Sequence, residues 1–201
     1  MEPKKSDFAK AISLWTEWNA KINVVSRKDI DNLYEHHILH SLAIAQFLER
    51  SGLGGFAPGE KVLDLGTGGG FPGIPLAMAC PQTSFVLCDS IAKKVRVAQA
   101  VSDGLGLGNV RCENARAESL PEVFDWVVSR AVTSLENFYP WVKGKYRKGI
   151  LYLKGGDVNE EISALCKKYG VDPQKITVWS VSDWLADEYY IGKYVIFISA
   201  N

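Results

Sequence analysis

The sequence lacks any long hydrophobic run. Its longest purely apolar stretches, such as Leu76–Cys80, have only a few residues, whereas a helix that spans a membrane needs about 20. The first residues, Met1-Glu-Pro-Lys-Lys-Ser-Asp, also lack the apolar core of a signal peptide. Together these absences predict a cytoplasmic protein with no membrane partner.

The sequence also lacks an excess of either charge. Lysine plus arginine and aspartate plus glutamate number 23 each, so the formal net charge is zero. Proteins that wrap DNA are usually strongly basic, and this balance argues against that class without excluding local contacts to nucleic acid. Two basic clusters, Lys93–Arg96 and Lys143–Lys148, are either solvated surface or local binding sites for RNA phosphates.

Cysteine and histidine are scarce, which bears on disulfide and metal chemistry. No two of the four cysteines form a C-x-x-C pair, and without a secretory signal we expect reduced core residues at Cys80, Cys88, Cys112 and Cys166. His36 and His40 have the i, i+4 spacing that could share a metal on one helix face. No third ligand is indicated nearby, so we predict no metal site and an exposed or partner-facing histidine pair.

The length of 201 residues fits one ordinary domain, or one domain with an appendage. The hydrophobic pattern changes near residue 57. Before it, apolar residues at helical spacing predict two amphipathic helices, roughly 5–21 and 30–50. After it, short apolar strands alternate with helices, which is typical of β-α-β units. We therefore predict a helical N-terminal extension, residues 1–56, packed on an α/β domain, residues 57–201.

The predicted strands are apolar throughout, as in a parallel sheet that is buried on both faces. They cover residues 61–65, 84–88, 109–113, 124–128, 150–153, 176–181 and 194–198. The predicted helices between them cover residues 73–80, 91–105, 135–143 and 158–169. No helical pattern separates the last two strands, so we predict that these two pair antiparallel in an otherwise mostly parallel sheet.

A glycine-rich segment follows the first predicted strand and precedes the first helix of the α/β domain. It reads Asp64-Leu-Gly66-Thr-Gly68-Gly-Gly70-Phe-Pro-Gly73. Glycines permit a positive φ and let a ligand come close to the backbone, and the start of the next helix offers free N–H groups to a partial negative charge. A tight turn without a ligand is the simpler interpretation, but five glycines in eight residues argue against it.

Two cofactor classes compete for this loop. Gly68-Gly-Gly70-Phe-Pro-Gly73 satisfies the dinucleotide pattern G-x-G-x-x-G, whereas Asp64-x-Gly66-x-Gly68-x-Gly70 resembles the first motif of class I S-adenosylmethionine-dependent methyltransferases. Asp89, at the end of the next strand, could bind both ribose hydroxyls in either class. The terminal antiparallel pair and the lack of a separate substrate domain favour S-adenosylmethionine over NAD.

The predicted fold class is therefore α/β, with the Rossmann-like architecture of class I methyltransferases. It would have a mostly parallel seven-stranded sheet, an antiparallel C-terminal strand and the N-terminal helices. This class argument assigns cofactor binding to Gly68, Gly70 and Asp89.

Several segments together resemble one family, the glucose-inhibited division protein B family of bacterial 16S rRNA guanine-N7 methyltransferases. The Gly-Phe-Pro-Gly-Ile-Pro extension of the glycine loop and the Ser-Arg-Ala after the fourth strand are more specific than the general methyltransferase motif. The similar segments are Trp18–Asn23, His37–Ser41, Asp64–Pro75, Asp89-Ser90 with Lys93-Lys94, Arg116–Glu118, Ser129–Ala131 and Leu153–Gly155. The resemblance implies S-adenosyl-L-methionine as cofactor, and 16S rRNA or the small ribosomal subunit particle as partner.

The resemblance also implies roles for matching positions. Gly66 and Phe71 would contact the cofactor in the glycine loop, and Ala117 and Glu118 would hold its adenine side. Arg130 would line the pocket where methyl donor and target base meet, as cofactor ligand and candidate catalytic residue. Simpler alternatives are a core position for Phe71, a helix cap for Glu118 and a structural ion pair for Arg130.

The second N-terminal helix departs from the family pattern. The family usually has Arg-His-Ile-x-Asp-Ser there, and this sequence has His36-His-Ile-Leu-His40-Ser. Val25 stands where a threonine is usual. Since this helix is expected to help receive RNA, the changes put its RNA contacts in doubt and leave the cofactor loop untouched.

The residues after the fourth strand bear on the type of reaction. Methyltransferases that act on amino groups commonly carry Asn/Asp-Pro-Pro-Tyr/Phe there, whereas this sequence has Ser129-Arg-Ala-Val. A cytosine-C5 enzyme needs a thiolate, and no cysteine lies at that position. Guanine N7 has a lone pair and no proton to lose, so its methylation needs in-line positioning rather than a base. The sequence is consistent with N7 as the target atom, and the assignment itself follows from the resemblance.

A target base must be splayed out of its stack, or single-stranded, to enter a deep pocket. Trp15, Trp18 and Trp141 are candidates for stacking on it, with core packing as the alternative for each. The sequence thus predicts a monomeric rRNA methyltransferase. The alternatives from other classes are an NAD-binding oxidoreductase and a non-catalytic RNA-binding assembly factor that kept the fold.

Overall fold

A helical segment opens the chain in the computed structural model, which describes residues 3–130 and 132–200. A 3-10 turn at Lys5–Phe8 leads into helix α1, Ala9–Lys21. After a connector come a 3-10 turn at Ile30–Asn32, a π-helix at Leu33–Leu39 and helix α2, His40–Arg50. Ala131 of the Ser-Arg-Ala motif lies outside the described residues.

The rest of the chain forms a seven-stranded sheet in the order β3-β2-β1-β4-β5-β7-β6. The strands are β1 Lys61–Leu65, β2 Ser84–Asp89, β3 Val110–Asn114, β4 Phe124–Arg130, β5 Tyr146–Gly155, β6 Ile176–Ser180 and β7 Lys193–Ser199. Neighbours among β1 to β5 pair in parallel, whereas β7 is antiparallel to both β5 and β6. The predicted architecture, including the antiparallel terminal pair, is confirmed.

The sheet separates two hydrophobic layers, because successive residues of a strand point to opposite faces. On β1, Val62 enters one layer and Leu63 the other, and both are fully buried. The N-terminal helices cover the first layer together with α3 and α4, and α5 and α6 cover the second. These four helices are α3 Gly73–Ala79, α4 Ala92–Leu105, α5 Leu135–Val142 and α6 Asn159–Tyr169. The N-terminal helices therefore share one core with the sheet.

The predicted helix over residues 30–50 is helical throughout, but its first half is not wound as an α-helix. Only α2 is a regular α-helix there, and Leu33–Leu39 is wound as a π-helix, whose backbone bonds run from i to i+5. This winding turns both His36 and His37 toward Asp29. The spacing of apolar residues predicted a helix but could not distinguish one winding from the other, since the histidine contacts are tertiary.

The structure bears on two expectations drawn from the composition: the state of the cysteines and the absence of a membrane span. All four cysteines are free, and Cys88 is fully buried. Among the described residues, no helix has both the length and the apolar character that crossing a membrane would require.

Candidate active site

The glycine loop lies at the carboxyl end of β1, next to the ends of β2 and β4. The N–H groups of Gly66 and Thr67 donate to the carbonyl of Cys88, at 2.8 and 3.1 Å, and so tie the loop to β2. Gly66 has a φ of 73°, and a Cβ built on it would lie 2.4 Å from Cγ2 of Val132. Gly68 has a φ of 56° and open space where its Cβ would be. Side chains at either position would strain the backbone, so the loop needs glycine there.

Asp64 holds the loop from below. Its side chain is fully buried, and Oδ2 accepts hydrogen bonds from Oγ1 of Thr67 at 2.6 Å and from the N–H of Gly73 at 2.8 Å. Burial raises the pKa of this carboxyl to about 7, although the two hydrogen bonds and the charge of Arg130 pull it down. The first acid of the sequence motif thus organises the turn from inside the protein core. It does not line the cavity that opens at the carboxyl ends of the strands.

Asp89, at the end of β2, joins the glycine loop to the start of α4. Its Oδ2 accepts from the N–H of Gly68 at 3.0 Å, and its Oδ1 accepts from the N–H of Ile91 at 2.9 Å. These bonds fix the carboxylate at the rim of the cavity. Each oxygen retains a lone pair for a further donor.

A cavity of about 560 Å³ opens beside Asp89, between the ends of β1, β2, β3 and β4. It brings together five of the predicted site residues: Gly66, Asp89, Ala117, Glu118 and Arg130. Lys94, Arg116 and Trp141 complete its polar and aromatic lining. Gly68, Gly70 and Phe71 do not line this cavity; Gly68 supports it through Asp89.

Arg130, the last residue of β4, borders the cavity. Its Cζ lies 4.9 Å from the centroid of the Phe71 ring. Within the described part of the chain its guanidinium makes no hydrogen bond and no ion pair. Burial lowers its pKa to about 10, opposed by Tyr189, Asp64 and Asp29, so the group stays charged at neutral pH. The structural ion pair that was the alternative for Arg130 is therefore not present among these residues.

Phe71 is a buried residue that supports Arg130 from beneath the loop. Its ring stacks on Trp15, with centroids 4.2 Å apart and planes at 25°. Trp15 is itself fully buried, so it is a core residue and cannot stack on a target base. Trp141 is the tryptophan of the three candidates that lines the cavity.

A cluster of titratable side chains, which includes Asp29 and Tyr189, lies close enough to Arg130 to affect its pKa. Nδ1 of His36 and Nε2 of His37 lie 2.5 and 2.7 Å from the two carboxylate oxygens of Asp29. The His36 ring stacks on Tyr189 with centroids 3.4 Å apart. His40 is buried and meets Tyr190 edge-on. The expectation of an exposed pair formed by His36 and His40 is wrong, because the π-helix sends them to different surroundings.

The protonation states in this cluster follow from burial and from the charge of Arg130. Burial would raise the pKa of Asp29, but the hydrogen bonds from His36 and His37 outweigh burial and hold that pKa below its ordinary value. Burial and the Arg130 charge lower the pKa of His37 to about 4, and the same two causes hold the pKa of His40 well below its ordinary value. His37 and His40 are therefore neutral at neutral pH.

The two basic clusters lie at opposite edges of the sheet. Lys93–Arg96 begins α4 at the cavity, and Lys94 lines the cavity itself. Lys143–Lys148 lies where β5 starts, at the amino edge, and its charges are largely engaged there. Lys148 pairs with Glu60, Arg147 lies 3.7 Å from Asp125, and Lys145 donates to the Leu120 carbonyl at 2.6 Å. The prediction that this second cluster binds RNA phosphates is not tested by its position, which separates it from the cavity.

Sequence reasoning missed Asp29 and Tyr189, which lie on connectors rather than in motifs. Asp29 follows the basic pair Arg27-Lys28 and precedes His36 and His37 by seven and eight residues. No sequence motif with that spacing predicts a contact between an aspartate and two histidines. Tyr189 comes from the turn before β7, more than 150 residues away from His36. Only the fold brings them together.

Comparison with solved structures defines the class. The chain shares its fold with magnesium protoporphyrin IX methyltransferase from Synechocystis with bound S-adenosylmethionine, at a TM-score of 0.66 and 16% identity over 97% of this chain and 94% of that one. It also matches an S-adenosylmethionine-dependent O-methyltransferase from Thermotoga maritima, at a TM-score of 0.60 and 17% identity over 94% of this chain and 70% of that one. The fold is that of class I S-adenosylmethionine-dependent methyltransferases.

Sequence comparison gives the family within that class. The family model for rRNA small subunit methyltransferase G matches residues 4–183. A ribosomal RNA small subunit methyltransferase G from Flavobacterium psychrophilum is 47% identical over 96% of this chain and 90% of its own length. One from Bacteroides thetaiotaomicron is 45% identical over 98% of this chain and 93% of its own length. The chain belongs to the rRNA small subunit methyltransferase G family, so the predicted family, enzyme class and cofactor are confirmed.

Proposed function

We propose that this methyltransferase transfers the methyl group of S-adenosylmethionine to N7 of a guanine in 16S rRNA. The observation that carries the proposal is Arg130, a charged guanidinium that lies over Phe71, borders the cavity and forms no ion pair within residues 3–130 and 132–200. Family membership sets the NAD alternative aside. A non-catalytic assembly factor would have no use for this arrangement, because an unpaired, partly buried charge costs free energy unless a ligand meets it.

The residues of the cavity fit S-adenosylmethionine. A volume of about 560 Å³ lies in the range of small-molecule sites. Asp89 offers fixed carboxylate oxygens suited to two ribose hydroxyls, and Ala117 and Glu118 would flank the adenine. Arg130 would bind the carboxylate of the cofactor or orient the base, since a guanidinium has five donors in a planar fork. When bound, the cofactor supplies an electrophilic methyl group on a sulfonium.

The chain's own contribution to the chemical step would be positioning. N7 of guanine carries a free lone pair, so no residue has to remove a proton from it. His37 and His40 are neutral but face inward, toward Asp29 and Tyr190. Trp141 and the Phe71-supported Arg130 border the space where the base would enter. Holding the base in line with the methyl group can supply several kcal/mol of the barrier.

RNA would be held by cations around the carboxyl edge of the sheet. Lys93 and Arg116 are exposed beside the cavity, and Arg27 and Lys28 are exposed on the connector that carries Asp29. None of these four forms an ion pair within residues 3–130 and 132–200. We further propose that the chain acts on its rRNA as a monomer in the cytoplasm. Light scattering with and without RNA tests the monomer, and localisation of the tagged protein tests the compartment.

The pH dependence of the single-turnover rate tests the target atom. Once the titration of Asp64 is removed, the rate should be flat from pH 6 to 9, because N7 has no proton to lose in that range. Asp64 has a pKa of about 7 and shapes the loop, so Asp64→Asn serves as the control that removes its titration. A rise of tenfold per pH unit that persists in the control would show a general base, and would contradict a bare ring nitrogen as target.

Mapping the product tests the function as a whole. Small ribosomal subunits and naked 16S rRNA from cells that lack the gene would be treated with the protein and labelled S-adenosylmethionine. We expect one labelled guanine that is sensitive to cleavage at N7-methylated sites. Label on another atom would refute the N7 assignment. No label in RNA, with S-adenosylhomocysteine still bound, would support the non-catalytic assembly factor instead.

A further inference from the structure

Gly69, in the middle of the glycine loop, is held by the N-terminal helix. The indole N–H of Trp15 on α1 donates to the carbonyl of Gly69 at 2.7 Å. Trp15 is fully buried, so this bond is shielded from water. A helix outside the α/β domain therefore fixes the backbone of the cofactor loop directly.

A second contact from the same helix reaches Gly69 through the connector. The side chain of Asn19 accepts from the N–H groups of Val24 and Val25, at 2.8 and 2.9 Å, and donates to the carbonyl of Val25 at 3.0 Å. These three hydrogen bonds hold Val24 against the glycine loop. The contact is close, since a Cβ built on Gly69 would lie 2.6 Å from Cγ2 of Val24. Asn19 belongs to the Trp18–Asn23 segment, for which the cofactor site alone gives no role.

The same helix also carries Arg130 through an aromatic stack. Trp15 covers one face of the Phe71 ring, with centroids 4.2 Å apart, which leaves the other face to the Arg130 guanidinium at 4.9 Å. Arg130 has no hydrogen-bonding partner among the described residues. The position of its guanidinium therefore depends on this stack.

We propose that Trp15 and Asn19 are positioning residues for methyl transfer, through which α1 sets both the cofactor loop at Gly69 and the guanidinium of Arg130. The inference rests on the proposed function of the cavity. It assigns the N-terminal helix to the catalytic machinery, in addition to its place in the core.

The test compares two tryptophans that each make a buried indole hydrogen bond. Trp15→Phe keeps a ring against Phe71 but removes the bond to Gly69. Trp126→Phe is the matched control, because the Trp126 indole donates to Glu60 at 2.8 Å at the opposite edge of the sheet. Both variants should lower the melting temperature. In calorimetric titrations below those transitions, Trp15→Phe should weaken S-adenosylhomocysteine binding by about fivefold, the loss of one buried hydrogen bond, and Trp126→Phe should leave it unchanged.

A second pair of variants keeps the test independent of the stack. Asn19→Ala removes the hydrogen bonds that hold Val24 against the loop. Asn109→Ala is the matched control, because the Asn109 side chain donates to the carbonyls of Ala77, Cys80 and Thr83 away from the cavity. Asn19→Ala should raise the KM for S-adenosylmethionine with little change in the KM for RNA. Asn109→Ala should change neither.

The possible results distinguish a failure of this inference from a failure of the proposed function. Equal S-adenosylhomocysteine affinities in wild type and Trp15→Phe, with KM for S-adenosylmethionine unchanged in Asn19→Ala, would overturn the inference and leave the proposed function standing. A wild-type protein that binds no S-adenosylhomocysteine would refute the proposed function, and the inference with it. Loss of affinity in Trp126→Phe equal to that in Trp15→Phe would show a general effect of stability and would also overturn the inference.

Discussion

Arg130 lies where the cofactor cavity meets the cluster around Asp29. β4 carries it to the carboxyl edge of the sheet, and the ring of Phe71 supports its guanidinium. Asp29 is close enough to raise the pKa of Arg130, but its carboxylate oxygens are hydrogen-bonded to His36 and His37 and form no ion pair with Arg130. Within residues 3–130 and 132–200 the guanidinium of Arg130 has no hydrogen-bonding partner, so its donors are available to a ligand in the adjoining cavity.

The first prediction at this scale concerns Arg130 itself. Arg130→Ala should lower the single-turnover rate by about 100-fold, since a misplacement of about 1 Å costs that much. Arg130→Lys should recover little of it, because an ammonium lacks the planar fork and stacks poorly on Phe71. Arg111→Lys is the control, as Arg111 pairs with Glu122 away from the cavity. A near-normal rate in Arg130→Lys would show that only the charge matters.

The second prediction concerns the buried carboxyl of Asp64, whose pKa burial raises to about 7. In the unfolded chain this carboxyl has the ordinary aspartate pKa of 3.8. Between pH 4 and 7 the carboxyl is therefore protonated in the folded protein and ionised in the unfolded chain. Because unfolding releases a proton in this range, a rise in pH favours the unfolded state. The stability that Asp64 contributes is therefore full below pH 4 and is lost as pH rises toward 7. Relative to Asp64→Asn, wild type should lose up to about 1.4 kcal/mol per pH unit in that window.

Urea unfolding of the ligand-free protein at pH 5, 6, 7 and 8 measures this difference. Asp31→Asn is the control, because Asp31 is exposed and forms no hydrogen bond or ion pair with any residue that the structure describes. If the two profiles for wild type and Asp64→Asn run parallel from pH 5 to 7, the carboxyl titrates normally and the argument fails.

At the scale of elements, the ends of strands and helices decide which charges can act together. Parallel strands place all their carboxyl ends on one edge, where the glycine loop, Asp89 and Arg130 converge. The same geometry sends the start of β5, with Lys145 and Arg147, to the opposite edge. Two basic clusters that look equivalent in the sequence are thereby given different surroundings.

The third prediction follows from this separation. Reversing Lys28 and Lys93 to Glu should weaken RNA binding and reduce the slope of log affinity against log salt by about 1 to 2, as two phosphate contacts are lost. Reversing Lys145 and Arg147 should change RNA affinity much less. Filter binding at several salt concentrations measures both, with S-adenosylhomocysteine titration as the check on the cavity. The opposite ranking of the two double variants would place the RNA on the amino edge.

At the scale of the whole molecule, one hydrophobic layer joins the N-terminal helices to the sheet. Trp15, Ile38, Ile44 and Leu48 are fully buried in the same layer as Val62 on β1. Each large apolar side chain contributes about 1.5–3 kcal/mol when buried, and a domain is stable by only about 5–15 kcal/mol. We propose that residues 1–56 and 57–201 fold as one unit, although the sequence pattern divides them.

The fourth prediction tests that unity by truncation. A chain that begins at residue 57 should lack a cooperative thermal transition and should bind a dye for exposed apolar surface, because the part of the first layer that α1 and α2 cover would be exposed. Circular dichroism melting and dye fluorescence, with the full chain as reference, measure this. A sharp transition together with intact S-adenosylhomocysteine binding would show that the α/β domain stands alone and that α1 has no part in the loop.

The sequence by itself determined the elements whose causes are local. Apolar runs bounded by turns predicted all seven strands, and Asp64 with the glycines that follow predicted the cofactor loop and its class. The strands and the tight glycine turn could be predicted because short apolar runs and the need for positive φ are properties of neighbouring residues. The class argument indicated Asp89, and the family resemblance implied Ala117, Glu118 and Arg130; the fold gathers these four residues around one cavity.

Only the tertiary structure decided how distant segments meet at that cavity. It wound Leu33–Leu39 as a π-helix and turned His36 toward Asp29. It buried Trp15 beneath Phe71, and it placed Lys145 on the far edge. The physical reason is common to all of these. Burial, stacking and charge pairing between separate elements depend on packing and on strand direction. No local pattern along the chain encodes them, even for His36 and Asp29, which are seven residues apart.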